Sequence, residues 1–127
     1  MSREIKFRAW DKELRNMWIV EGIKFDHSFS GGYEVMPPPD DQDIEWQNDE
    51  HVVLMQFTGL RDKNGNEIYE GDLVRFRNEE DAYDMVHEIA WKHNGFVVNG
   101  WTAHLESAGT VSEVIGNIYQ NPDLLKE

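Results

Sequence analysis

The run Thr58-Gly59-Leu60-Arg61-Asp62-Lys63-Asn64-Gly65-Asn66-Glu67-Ile68-Tyr69-Glu70-Gly71-Asp72-Leu73-Val74-Arg75-Phe76 decides the fold. Asn64-Gly65 is the dipeptide that a type I′ turn favours, because both central residues of that turn take positive φ. A short extended step leads to the corner Glu70-Gly71-Asp72, where Gly71 lets the backbone swing through a conformation that a Cβ would obstruct. Val74 and Phe76 then alternate with Arg75 and Arg77, the period-two pattern of a strand with one buried face. Turn, step, corner and strand in so short a run are the grammar of a small, strongly bent β-barrel of the SH3-like kind. The run is a folding signature and carries no chemistry of its own.

Outward from it, residues 52–57 form an apolar strand, and Met85, His87, Ile89 and Trp91 alternate with Val86, Glu88 and Ala90 in a long one. Asn94-Gly95 closes a second hairpin into Phe96-Val97-Val98, and residues 114–119 supply the closing strand. The expected architecture is mainly β, on the border of all-β and α+β, with a five-stranded SH3-like barrel over residues 52–119. Residues 1–27 read as an N-terminal β-meander: Ile5, Phe7 and Ala9 alternate with Lys6, Arg8 and Trp10, a turn follows at 11–16, and strands follow at 17–21 and 23–25. Residues 28–51 are an acidic insertion and linker, in which Pro37-Pro38-Pro39 stops any ladder because proline has no N–H to donate. Pro122-Asp123-Leu124-Leu125, within residues 120–127, fits a terminal helical turn with proline at a tolerated first position. A chain of 127 residues fits a single domain.

Three blocks carry a family resemblance. They are Arg3-Glu4-Ile5-Lys6-Phe7-Arg8-Ala9-Trp10-Asp11-Lys12 at the start, Leu54 to Leu60 with Asp62-Lys63-Asn64-Gly65 and Ile68-Tyr69-Glu70-Gly71-Asp72 in the middle, and Val114-Ile115-Gly116-Asn117-Ile118-Tyr119 with Asn121-Pro122 at the end. In these the chain resembles the YopX-like phage protein family over essentially its whole length. The resemblance implies a phage or prophage protein and brings no catalytic or ligand-binding residues with it. Residues 28–50 match no pattern of that family.

Composition narrows the chemistry. There is no cysteine, which rules out disulfides, thiolate metal sites and cysteine nucleophiles. The N-terminus lacks the apolar core of a signal peptide, and the longest apolar runs, Met17-Trp18-Ile19-Val20 and Val52-Val53-Leu54-Met55, are too short for a membrane helix. A cytoplasmic protein without a membrane partner is expected. Net charge is −13. Asp40, Asp41, Asp43, Glu45, Asp49 and Glu50 fall in one stretch without a basic residue, and Glu79, Glu80, Asp81 and Asp84 in another. Such a surface repels phosphate backbones, so direct nucleic-acid binding is not expected.

No residue constellation points to catalysis. A calcium loop starting at Asp62 would need glycine sixth and glutamate twelfth, where the chain has Glu67 and Leu73, so a hairpin turn is the better account. The histidines at 27, 51, 87, 93 and 104 are scattered, and His87 sits on the apolar side of its strand as core or rim. No P-loop, dinucleotide fingerprint or nucleophile elbow occurs, and Ser28, Ser30, Ser107 and Ser112 have no activating neighbours in sequence. No metal or cofactor is expected; an enzyme whose site assembles from distant positions stays open. Of the tryptophans at 10, 18, 46, 91 and 101, four lie in or beside expected strands, where core packing is the default, rather than forming a stacking platform for bases. Trp46 lies with Ile44 inside the acidic stretch, as an anchor for the loop or a hot spot for a partner.

The expected function is that of a non-enzymatic interaction module binding a host or phage protein, with homo-oligomerisation open. The candidate surface is Asp40, Asp41, Asp43, Ile44, Glu45, Trp46, Asp49 and Glu50. The alternative is an inhibitor whose carboxylates imitate duplex phosphates. The plainer account of the acids is a solvated loop that maintains solubility. Asn64, Gly65, Gly71, Asp72, Asn94 and Gly95 are expected to define the fold through their turns.

Overall fold

The alternation read from the sequence becomes strand in the computed structural model, which describes residues 4–25, 32–37, 46–48, 50–78, 83–92, 95–98 and 112–125. In chain order the strands are β1 (Phe7–Asp11), β2 (Asn16–Ile19), β3 (Gly22–Phe25), β4 (Tyr33–Met36), β5 (Gln47–Asn48), β6 (Val52–Arg61), β7 (Glu67–Tyr69), β8 (Asp72–Asn78), β9 (Tyr83–Lys92), β10 (Gly95–Val98) and β11 (Ser112–Asn117). A single turn of 3₁₀ helix, Pro122–Leu125, follows at the place where the sequence predicts a helical turn. There is no α-helix among the described residues, and the protein is mainly β. Two compact units divide the chain, Ile5–Gln56 and Phe57–Glu127, the latter with Met1–Glu4. Strand β6 contributes to both, pairing with β1 through its first half and with β7 through its second.

In the unit Ile5–Gln56, β2, β1 and the first half of β6 form one antiparallel sheet, and β3, β4 and β5 form another. Ala9, Val35 and Val52 are buried together, with Trp18, Val20, Ile23, Tyr33 and Leu54 packed around them. The core thus draws on both sheets. This corrects the expected meander: all three N-terminal strands exist, but β3 pairs with β4 and not with β2. The hand-over occurs across two residues, where Val20 N–H donates to the Phe7 carbonyl and Glu21 N–H donates to the Met36 carbonyl, at 3.0 and 2.8 Å. A three-stranded meander has one apolar face and nothing to lay on it, whereas a second sheet lets Ile23 and Val35 cover Ala9 and Val52. Strand β1 also differs from its expected half-burial. It starts at Phe7, and Arg8 and Trp10 are buried as well as Ala9. The Arg15 guanidinium lies 5.9 Å from the centre of the Trp10 ring.

In the unit Phe57–Glu127 the strand order is β10-β9-β8-β11, all antiparallel, beside the β6–β7 hairpin. Ile68, Val74, Phe76, Ile89 and Val98 are buried together, against Leu60, Phe96 and Val114. Residues Val74 and Phe76 do face one side, as the sequence predicts. The five-stranded closure of an SH3-like barrel is not among the ladders of the described residues.

Two glycines shape this unit. Gly71 has φ +88° at the corner between β7 and β8, the left-handed conformation expected there. Its N–H donates to the Ile89 carbonyl at 2.8 Å and its carbonyl accepts from Ile118 N–H at 2.9 Å, so the corner is bonded to two other segments. At Gly116 a Cβ would lie 2.4 Å from Asn121 Oδ1. The space is taken because that oxygen accepts the Asn117 N–H, while Asn117 Oδ1 accepts from Tyr119 and Gln120 N–H, turning the chain towards Pro122. The end block of the sequence is therefore a folding device.

Candidate functional site

The middle block centres on a carboxylate. Asp62 Oδ1 accepts the N–H groups of Asn64 and Asn66 at 2.9 Å each, and Oδ2 accepts Val114 N–H at 2.8 Å and Asn66 Nδ2 at 3.3 Å. Asp62 is 5% exposed. Burial by itself would raise its pKa, but the donors from Val114, Asn66 and Asn64 outweigh burial and hold it below the usual carboxylate value. These bonds also reset the turn. Asn64 does not have positive φ, whereas Gly65 does, at +86°; Asp62 N–H reaches the Asn66 carbonyl at 2.8 Å and Gly65 N–H the Asp62 carbonyl at 3.0 Å. The loop is thus a three-residue connection ending on a left-handed glycine and not the expected two-residue type I′ turn. Two donations to Asp62 Oδ1 hold Asn64 in the right-handed region. This carboxylate holds a hairpin tip to β11, a structural task.

Asp72 repeats the device at the next corner, its Oδ2 accepting Tyr69 N–H at 2.7 Å with the side chain buried. Gly95 opens β10 opposite Lys92, and Asn94 lies outside the described residues. On β9, Met85, His87, Ile89 and Trp91 share a face, and the His87 ring meets Phe76 edge-on at 5.8 Å. Trp91, expected in the core, is 52% exposed and packs edge-on against Phe96 at 4.8 Å, because it stands where that face runs out. The Arg75 guanidinium grips Asp84 with two hydrogen bonds, of 2.8 and 2.6 Å, on the outer face. The hydrogen bond to Arg75 lowers the Asp84 pKa and that to Asp84 raises the Arg75 pKa. Among the described residues, no group of three or more His, Cys, Asp or Glu could hold a metal. No helix among them is long and apolar enough to cross a membrane.

Of the surface proposed from the acidic stretch, Asp40, Asp41, Asp43, Ile44, Glu45 and Asp49 lie outside the described residues. Trp46 and Glu50 are described. The Trp46 ring lies over β3, 3.4 Å from where a Cβ on Gly22 would stand, and Lys24 Nζ sits 4.7 Å from its centre. Trp46 therefore anchors its segment to a sheet, while keeping one side open. Glu50 N–H donates to Asn48 Oδ1 at 3.0 Å, and its carbonyl accepts Lys12 Nζ at 3.3 Å.

The structure adds a feature that sequence reading missed. Where the chain leaves the first sheet for the second, an open groove of about 370 Å³ forms between Ile5, Phe7, Ile19, Val20 and Ile23. Lys6 and Glu21 also line it. Ile5 is 71% exposed and Ile19 47%. The alternation of residues 5–9 marked Ile5 as inward; only the start of β1 at Phe7 shows that it is not. Covering both isoleucines would gain on the order of 2–4 kcal/mol. Among the described residues, this uncovered apolar groove in a chain of mean hydropathy −0.67 is a candidate recognition surface.

Comparison with known proteins sets this in a lineage. The chain is similar to the SPbeta prophage-derived protein YopX of Bacillus subtilis (strain 168), 24% identical over 94% of this chain and 95% of that one. Its fold is similar to the crystal structure of protein EF1440 from Enterococcus faecalis, with a TM-score of 0.66 and 28% identity over 98% of this chain and 100% of that one. The crystal structure of Bacillus subtilis yopX has a TM-score of 0.64 and 22% identity, over 95% and 98% of the two chains. The YopX protein family model matches residues 6–126, and the chain belongs to that family.

Proposed function

We propose that this protein is a non-enzymatic interaction module of prophage origin, acting in the bacterial cytoplasm on a host or phage protein. The prophage origin follows the description of its Bacillus subtilis relative. The observation that carries the rest is the groove beside Ile5 and Ile19, apolar and open where the two sheets of the unit Ile5–Gln56 part. The occupant is a protein segment with a large apolar side chain flanked by Lys or Arg. The apolar part matches the isoleucines. The basic flanks follow from charge complementarity: net charge is −13, and six acids lie between residues 40 and 50.

The test is a comparison of two variants with the wild type. In I5D/I19D the groove is charged and the fold retained; in the second variant the acids at 40, 41, 43, 45, 49 and 50 are amidated. The wild type is used to capture basic proteins from host lysate, with elution in salt steps, and the identified partner is then titrated against each variant. The expected result is loss of binding in the groove variant and a slower, salt-insensitive association in the amidated one. Equal binding by all three proteins overturns the proposal. An inhibitor that imitates nucleic acid behaves differently: it loses its partner only on amidation and competes with duplex DNA.

A further inference from the structure

We infer that Asn64 is a site of spontaneous deamidation, held in check by the fold and coupled to the attachment of β11. Asparagine followed by glycine is the pair most prone to this chemistry, because no side chain on the second residue shields its backbone nitrogen. Gly65 N attacks Asn64 Cγ, forming a C–N bond and losing its proton; the Nδ2 nitrogen departs as ammonia, leaving a succinimide. Water then opens the ring at either carbonyl, giving aspartate or isoaspartate. No cofactor or oxidant is required.

Three contacts restrain the attack. Gly65 N–H is engaged by the Asp62 carbonyl at 3.0 Å, Asn64 N–H by Asp62 Oδ1 at 2.9 Å, and Asn64 Nδ2 by Glu113 Oε2 at 3.2 Å. The nucleophile and the leaving group are thus both tied. Releasing them breaks two hydrogen bonds and slows the reaction about tenfold relative to the open chain.

The product reverses the local interactions. A carboxylate at position 64 stands against Glu113 where an amide donor stood, and beside the Asp62 carboxylate. Isoaspartate also adds a methylene to the backbone of a loop closed by Asp62 N–H on the Asn66 carbonyl. The same tip holds β11 through Lys63 N–H to the Ser112 carbonyl at 3.0 Å and Val114 N–H to Asp62 Oδ2 at 2.8 Å. Deamidation therefore loosens β11 from the hairpin.

The experiment ages the full chain at mildly alkaline pH, folded and in denaturant. Peptide mapping with isoaspartyl methyltransferase labelling separates Asn64 from the other Asn-Gly pairs, Asn94-Gly95 and Asn99-Gly100. Asn64 is expected to convert about ten times faster in denaturant than in the folded chain. E113A, which removes the tie on the leaving group without touching the core, should speed conversion in the folded chain. Aged protein and N64D should both show faster amide exchange at Val114 than the fresh wild type. Equal rates folded and unfolded, no acceleration in E113A, or unchanged exchange at Val114 would each overturn the inference.

Discussion

The two units of this chain solve the same problem to different degrees. In the unit Phe57–Glu127 five of the described residues are buried together, four from one four-stranded sheet and Ile68 from β7, and its corners are fixed by buried carboxylates at Asp62 and Asp72. In the unit Ile5–Gln56 three residues are buried together between two small sheets, and Ile5, Leu14, Ile19 and Phe25 face solvent. The carboxylate device occurs in both units, since buried Asp11 accepts the Glu13 and Leu14 N–H groups at the turn after β1, but only in the unit Phe57–Glu127 does it recur at two corners. Uncovered apolar groups also occur in both units, Met85, Trp91, Leu124 and Leu125 in the unit Phe57–Glu127, and the groove proposed for recognition lies beside Ile5 and Ile19.

The sharpest way to break this contrast is Asp62→Ala. Three backbone N–H groups lose their acceptor, and each buried unsatisfied group costs about 1–3 kcal/mol, so a loss of about 3 kcal/mol is expected by denaturant titration, given partial access of water. The acid limb carries the same signature. The pKa of Asp62 is lowered in the folded state, so its contribution is complete above the unfolded value of 3.8 and fades as pH falls through the lower folded value. Wild-type stability should drop more steeply below that point than that of D62N. Parallel acid curves would show that Asp62 does not hold the hairpin.

Gly71→Val comes next. A β-branched residue at φ +88° is strained by about 1–3 kcal/mol, and the melting temperature should fall accordingly. An unchanged melting temperature would remove the corner from the list of stabilising devices.

The other unit should respond weakly in stability and strongly in binding. Amidation of Asp40, Asp41, Asp43, Glu45, Asp49 and Glu50 removes six charges, and charges on a solvated loop contribute under about 1 kcal/mol each while relief of self-repulsion acts the other way. Thermal melting should show the same or a higher midpoint, with association to a basic partner slowed. Unfolding would make these carboxylates structural. The smallest change in stability is expected for Ile19→Asp, within about 0.5 kcal/mol for an exposed site. Calorimetry that found a larger loss would place Ile19 in the core and close the groove as a site.

The strands were legible because period-two alternation is local. Val74 and Phe76 against Arg75 and Arg77 needed no knowledge of partners, and the same holds for residues 85–91. Turn positions were legible for a related reason, since Gly71 and Gly65 are demanded by backbone conformation. Turn geometry was less so: the Asn64-Gly65 pair suits a type I′ turn, and the carboxylate of Asp62 selects another. Gly116 had no reading at all before Asn121 was placed beside it, since the reason for that glycine is a contact and not a torsion. The groove was invisible for the same cause, because whether Ile5 and Ile19 are covered depends on where β3 goes next.

By itself, then, the sequence determined that this chain is mainly β, where it turns, that it is strongly acidic and that its three blocks mark a family. Those properties depend on backbone torsions, alternation and composition, all of which act between near neighbours. Tertiary structure alone decided which strand pairs with which, which carboxylate holds which hairpin, and which isoleucines stay open. Pairing is chosen by the burial of distant apolar faces against one another, as when Ile23 and Val35 leave the first sheet to cover Ala9 and Val52, and no local pattern encodes that choice.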